Sequence, residues 1–175
     1  MVLDNPPRLW EASSQNERMS SSRSDVIRTE VRAVLPTNAG SAVFIGNEEK
    51  VFVIYVERSV GDAITMFMQG ATKPRPLTHD LMGRFLKSLG ARVERVVIND
   101  LKDGVYYARL IISVENEVMQ RKIVELDGRP SDCVAMAMQQ NAQVFVAKSV
   151  WEEVDDMSTI LNNMGGEDPQ TGGDD

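Results

Sequence analysis

Two octets in this chain, Asp62-Ala63-Ile64-Thr65-Met66-Phe67-Met68-Gln69 and Asp132-Cys133-Val134-Ala135-Met136-Ala137-Met138-Gln139, repeat one pattern at an offset of 70 residues. Each follows a strand-like stretch, and each half of the chain reads as three strands and two helices. A duplicated β3α2 unit is the simplest account. Units this small cannot bury their apolar faces alone, so the two copies must pack together, and 175 residues leave room for one such domain.

The periodicity along the chain fills in the unit. Ile27, Thr29, Val31, Ala33 and Leu35 alternate with Arg28, Glu30 and Arg32, which predicts a half-buried strand. Strands at 41–45 and 50–56 flank the turn Gly46-Asn47-Glu48-Glu49. A helix over 60–69 follows, with Ser59 and Asp62 spaced as a capping box and Val60, Ala63, Ile64, Phe67 and Met68 as its buried stripe. Thr78 is placed to cap a second helix, whose expected core face is Leu81, Met82, Phe85, Leu86 and Leu89, and Gly90 stops it. Strands at 92–98, 105–114 and 118–126 come next, with turns at Asn99 to Gly104 and Glu115 to Glu117. Pro130 opens a helix over 130–140 with the stripe Cys133, Val134, Ala137 and Met138. A strand near 143–147 and a final helix from 149 complete the pattern. The predicted class is α+β.

Residues 1–24 mix prolines, charges and six serines and read as a flexible arm; 25–160 read as the folded domain; 161–175, rich in glycine and acids, read as a disordered acidic tail. The net charge of -7 is unevenly placed: residues 25–150 carry 16 basic and 15 acidic side chains, whereas 151–175 carry eight acidic and none basic. The core is therefore nearly neutral, which neither requires nor forbids a nucleic-acid partner. One cysteine, Cys133, rules out an internal disulfide and a thiolate metal cluster. It takes the place of Ala63 in the repeat, as a packed thiol would. No stretch reaches the roughly 18 consecutive apolar residues of a membrane span. The N-terminus lacks the apolar block of a secretory signal, so a cytoplasmic, membrane-free protein is expected.

Four runs remain that the periodicity does not explain: Lys73-Pro74-Arg75-Pro76-Leu77-Thr78-His79-Asp80-Leu81, Val96-Val97-Ile98-Asn99-Asp100-Leu101, Asp103-Gly104 with Tyr107-Ala108-Arg109-Leu110, and Asp127-Gly128-Arg129-Pro130-Ser131-Asp132. Together and in this order they resemble the signature stretches of the bifunctional nuclease domain family, over about residues 28–155. The resemblance implies a duplicated α+β fold with a curved, barrel-like mixed sheet, helices packed on it, and self-association. It also implies cleavage of both DNA and RNA with low sequence specificity. Cys133 stands where the family usually carries alanine.

Phosphodiester cleavage needs an activated water and stabilised charge on phosphorus, tasks shared among carboxylate-bound metals, a base and Arg or Lys. In these runs His79 and Asp80 are the candidate catalytic pair and Arg75 and Arg129 the candidate phosphate contacts. Asp80, Asp100, Asp103, Asp127 and Asp132 are possible oxygen ligands for Mg²⁺ or Mn²⁺, the first four being the candidate set. Each has a structural alternative. Asp62, Asp80 and Asp132 suit the first turn of a helix, Asp100, Asp103 and Asp127 suit turns, and the arginines suit salt bridges. If Arg129 binds phosphate at the start of its helix, Asp132 competes for the same amides. Tyr106 and Tyr107 point to opposite faces, one to the core and the other available to stack on a base. Two readings follow: a metal-assisted nuclease with DNA and RNA as substrates, or a non-catalytic homo-oligomeric binding or regulatory module.

Overall fold

Antiparallel pairing organises each half of the chain separately before anything joins them. The computed structural model describes residues 25–115 and 120–165. In the first half β1 (Val26–Thr37), β2 (Gly40–Gly46) and β3 (Val51–Val56) form a meander that leads into α1 (Arg58–Met68) and, past a connector, α2 (Thr78–Ser88). In the second, β4 (Ala91–Lys102), β5 (Val105–Glu115) and β6 (Arg121–Gly128) form another meander leading into α3 (Pro130–Gln140). Then come β7 (Gln143–Ala147), α4 (Lys148–Glu153) and α5 (Ser158–Gly165). The recurring unit is thus a three-stranded meander and one helix. The full β3α2 unit does not recur, because β7 intervenes after α3 where the first half passes from helix to helix.

β7 is also the strand that joins the halves. The sheet order is β3-β2-β1-β7-β4-β5-β6, with β7 antiparallel to β1 and parallel to β4. The sheet is mixed, with helices packed on it, and the class is α+β. It bends at irregularities between Val31 and Ala33, Val93 and Arg95, and Ile98 and Asp100. It does not close: β3 and β6 remain at its edges, so the barrel-like expectation stops at an open sheet.

α1 and α3 lie together over the main core. Ile64 of α1 and Cys133 and Val134 of α3 are buried there beside Val43, Ile54, Val96 and Ile98, and Ala63, the counterpart of Cys133 in the repeat, is buried as well. Fully burying a side chain such as Ile64 stabilises the fold by roughly 1.5–3 kcal/mol. Every residue of β2 is buried. The reason is a second cluster, in which Met157 and Leu161 cover Ala42, Phe44 and Val51.

Several local expectations need correction. α1 starts at Arg58 with Glu57 as its N-cap and no side-chain cap, so Ser59 and Asp62 form no capping box and Asp62 falls beyond the first turn. Leu77, not Thr78, is the N-cap of α2. β4 continues through Asp100 to Lys102 because Asp103 (φ 50°) and Gly104 (φ 76°) make the whole turn, a two-residue hairpin that needs positive φ at both positions. The final helix from 149 is two helices, α4 and α5. α5 runs to Gly165, into the stretch expected to be disordered. Residues 1–24, 116–119 and 166–175 lie outside the described residues, and with them the expected arm and most of the tail.

The largest departure is α2. Its predicted core face points outward: Leu81 is 61% exposed, Met82 45%, Phe85 63% and Leu89 58%. His79 and Gly83 are the buried residues of this helix, and Leu86 packs against the main core. At Gly83 a Cβ would come within 2.2 Å of the Gln139 amide oxygen, so glycine lets α2 settle closely on α3. That approach sets the position of His79.

Candidate functional site

Three helix starts meet at one place on the helix side of the sheet. Glu57 is the N-cap of α1, Arg129 the N-cap of α3, and one guanidinium nitrogen of Arg129 lies 3.4 Å from Glu57 Oε1. Pro130 fixes the first position of α3, which puts Asp132 in the first turn, where a carboxylate complements the helix dipole. Arg129 Nε donates to Asp132 Oδ2 at 2.8 Å. From α2, His79 Nε2 lies 3.7 Å from Asp132 Oδ1, within electrostatic reach though longer than a hydrogen bond. His79 is buried, whereas the Arg129 side chain is 63% exposed. From inside outward the order is therefore imidazole, carboxylate, guanidinium. The hydrogen bond from Arg129 to Asp132 raises the arginine above its ordinary pKa, with the charges of Asp132 and Glu57 adding to the effect.

Asp80, next to His79 in sequence, faces a different neighbourhood. Its carboxylate accepts the Leu77 N–H at 2.9 Å and Lys73 Nζ at 2.9 and 3.2 Å. Burial pushes its pKa up, but the Lys73 and Leu77 hydrogen bonds and the charges of Lys73 and Arg84 together hold it below the ordinary 3.8. Around it opens a cavity of about 430 Å³ lined by Lys73, Arg75, Arg84, Phe67, Gln139 and Asn141 among others. Lys73 Nζ sits 3.6 Å from the centre of the Phe67 ring. Three cations against one acid make this an anion-seeking hollow, and Arg75 has no salt-bridge partner among the described residues.

The other acids stand apart. Asp100 pairs with Lys102 at 2.5 Å, and that bond is the main cause of its lowered pKa. Asp103 is in the β4–β5 turn, and Asp127, on β6, lies 4.0 Å from Arg109 across the strands. Ala108, Leu110 and Ile112 of β5 point into the main core, so the intervening Arg109 and its partner Asp127 belong to the opposite face of the sheet. Asp80, Asp100, Asp103 and Asp127 do not converge. Among the described residues no group of three or more His, Cys, Asp or Glu side chains could hold a metal ion. As they stand, these donors do not fit a protein-built Mg²⁺ or Mn²⁺ site.

Comparison with known proteins supplies the family. The profile of the bifunctional nuclease domain matches residues 42–158, about two thirds of the chain. The chain belongs to this family. Two uncharacterized proteins of Mycobacterium tuberculosis, from strains CDC 1551 / Oshkosh and ATCC 25618 / H37Rv, are each 34% identical to it over 104 residues. That alignment covers 59% of this chain and 58% of each relative, so the chain spans somewhat more than half the length of the curated proteins it matches. The family name carries nuclease activity at the level of the family. Glu57, His79, Arg129 and Asp132 all fall inside the matched region, as do the residues of the cationic cavity.

One member of this cluster, Glu57, was not among the residues singled out for chemistry, and Asp132 stood out only as a possible metal ligand or a helix-start acid. The repeat contains a clue to them. The N-caps of the two related helices carry opposite charges, Glu57 and Arg129, and the contacts between α1 and α3 bring these ends together. Asp132 differs from its counterpart Asp62 because α3 begins two residues closer to it than α1 does to Asp62. Cys133 is buried, and burial, with Asp132 and Asp127 nearby, pushes its thiol up to about 12. It is a packed side chain, as its place in the repeat implied. Among the described residues no helix is long and apolar enough to cross a membrane.

Proposed function

We propose that this chain hydrolyses phosphodiester bonds of DNA and RNA with low sequence specificity, at the junction of the three helix starts. The observation that carries this reading is the row His79, Asp132, Arg129, Glu57, in which a buried imidazole backs a half-exposed carboxylate and an exposed guanidinium bridges two acids. Asp132 is the group placed to accept a proton from the attacking water. His79, the candidate base by sequence, lies behind it and acts as a positioning residue. As the water oxygen bonds to phosphorus, the ester P–O bond breaks and the departing oxygen takes a proton from solvent. Arg129, turning from Asp132 to the phosphoryl oxygens, covers the developing charge. Arg75, Lys73 and Arg84 hold a neighbouring phosphate in the cationic cavity, with Asp80 setting Lys73. The proposed Mg²⁺ or Mn²⁺ dependence finds no ready cage in these side chains.

The test is cleavage of labelled single-stranded RNA and duplex DNA by wild type, Asp132→Asn and His79→Ala, purified identically, with Mg²⁺, Mn²⁺ or chelator. Turnover in wild type that falls by about 100-fold or more in Asp132→Asn is expected, since a positioned acid or base contributes roughly 10²–10⁴. Equal rates in all three proteins would sink the assignment. Absence of turnover in every condition would favour the non-catalytic binding module.

We also propose that the chain forms a homo-oligomer through the outer face of α2. Leu81, Phe85 and Leu89 recur at four-residue spacing with Met82 beside them, a seam that a second copy of the same helix fits. The cytoplasm remains the proposed compartment, consistent with its lone buried thiol.

A further inference from the structure

Because the sheet stays open, a crevice runs between the free edge of β3 and the β4–β5 hairpin. Its volume is about 430 Å³, and it is lined by Tyr55, Val105, Tyr106, Arg129 and Ser131 among others. Tyr55 is 74% exposed, more than any other large apolar side chain among the described residues, and Val105, from the hairpin, is 55% exposed. Tyr106 turns its ring inward, 5.8 Å from that of Phe52, and so forms a fixed inner wall. β3 has β2 as its only strand partner; at Val51 its other edge is taken by Asp156 and Met157, and from Val53 to Tyr55, along the crevice, no strand covers it. Arg129 lines the crevice and is also a member of the row with Asp132 and His79, so this space and the proposed reaction centre adjoin.

We propose that the crevice takes one unpaired nucleobase, laid against Tyr55 with Val105 opposite, so that the attached phosphate reaches Arg129. The inference deepens the nuclease reading and rests on it for the class of ligand. The shape narrows that class. An aromatic face outside, an apolar contact across from it and unpaired backbone groups at the edge suit a flat ring with hydrogen-bonding rims. The volume lies within the range of small-molecule sites. A base inside a duplex is stacked on both faces and cannot enter without being extruded, so the crevice selects single strands or unpaired positions. Tyr107, the residue that faces away from the core, pairs with Lys102 instead and does not line this space.

The experiment uses the full chain in chelator, so that binding is read without turnover. Fluorescence anisotropy of a labelled decathymidylate and of a matched duplex is measured for wild type, Tyr55→Ala and Tyr55→Phe, with thermal unfolding as the control for folding. The single strand should bind at least about tenfold more tightly than the duplex. Tyr55→Ala should weaken it by about tenfold and Tyr55→Phe should change it little, as base stacking requires. Equal affinity for strand and duplex, or an unchanged Tyr55→Ala, overturns the proposal. So does a Tyr55→Ala effect confined to the oligomeric mass, which would make the β3 edge a protein-docking strand. Tight single-strand binding through Tyr55 with no cleavage under any metal condition would keep the crevice and remove the nuclease. Cleavage with Tyr55-independent binding would do the reverse.

Discussion

Helices α2 and α3 look alike as sequence and differ in what they bury. Both carry apolar side chains at helical spacing, and both touch each other. Yet α3 has five buried residues, Cys133 to Ala137, while α2 buries only His79 and Gly83 and turns four large apolar groups outward. An apolar stripe shows that a helix has a face to cover, and says nothing of whether the cover comes from the same chain. α3 lies sandwiched between α1, α2 and the sheet, whereas α2 meets the fold along one narrow line of His79, Gly83 and Leu86.

Denaturation separates the two most sharply. Met136→Ala in α3 should lower the unfolding free energy by roughly 2–5 kcal/mol in a urea titration, the usual cost of emptying a filled core position. Phe85→Ala in α2 should cost under about 0.5 kcal/mol in the monomer. Equal losses would break the contrast and mean that the α2 face is covered in solution by something tightly held. Next in size, Phe85→Glu should weaken self-association by more than about tenfold in light scattering, since it sets a charge into each apolar contact of the seam. An unchanged mass would move the interface elsewhere.

A smaller effect comes from the cap of α2. The folded pKa of Asp80 is held below 3.8, so its contribution is complete above that value and is lost as pH falls through the lowered one. Asp80→Asn should therefore cost about 1 kcal/mol at neutral pH and show a shallower loss of stability under acid. The mildest expectation concerns α3: at pH 8 the folded chain should leave Cys133 unmodified by a thiol reagent over the time in which urea-unfolded chain reacts fully, because a thiol near 12 that is also buried offers almost no thiolate.

What was legible in the sequence follows the reach of each signal. Alternation found the strands, and Pro130 and Gly90 marked helix ends, because those effects act within a few residues. The repeat placed Cys133 in the core beside its partner positions. The position of β7 between the halves was hidden, since a five-residue strand does not name its neighbours. The same limit applied to the site. His79 and Arg129 stood out by type, but Glu57 and Asp132 gain their meaning only from helix ends that meet across the fold. The acids Asp100, Asp103 and Asp127 looked grouped because they share runs of sequence, and the sheet sends them elsewhere.

The placement of β7 has a consequence for how the protein is made. Thr29 Oγ1 donates to the Val144 carbonyl, a bond that spans 115 residues of chain. Each meander can form as soon as its own strands leave the ribosome, but the inner edges of β1 and β4 stay unpaired until Gln143–Ala147 emerges. The strand that fills the middle of the sheet is the last one made, and until it emerges the growing chain carries an open edge on β1 and, once β4 is made, a second on β4. A chain cut between the end of β6 and residue 143 would hold two unjoined sheets with open inner edges, not a smaller version of the domain.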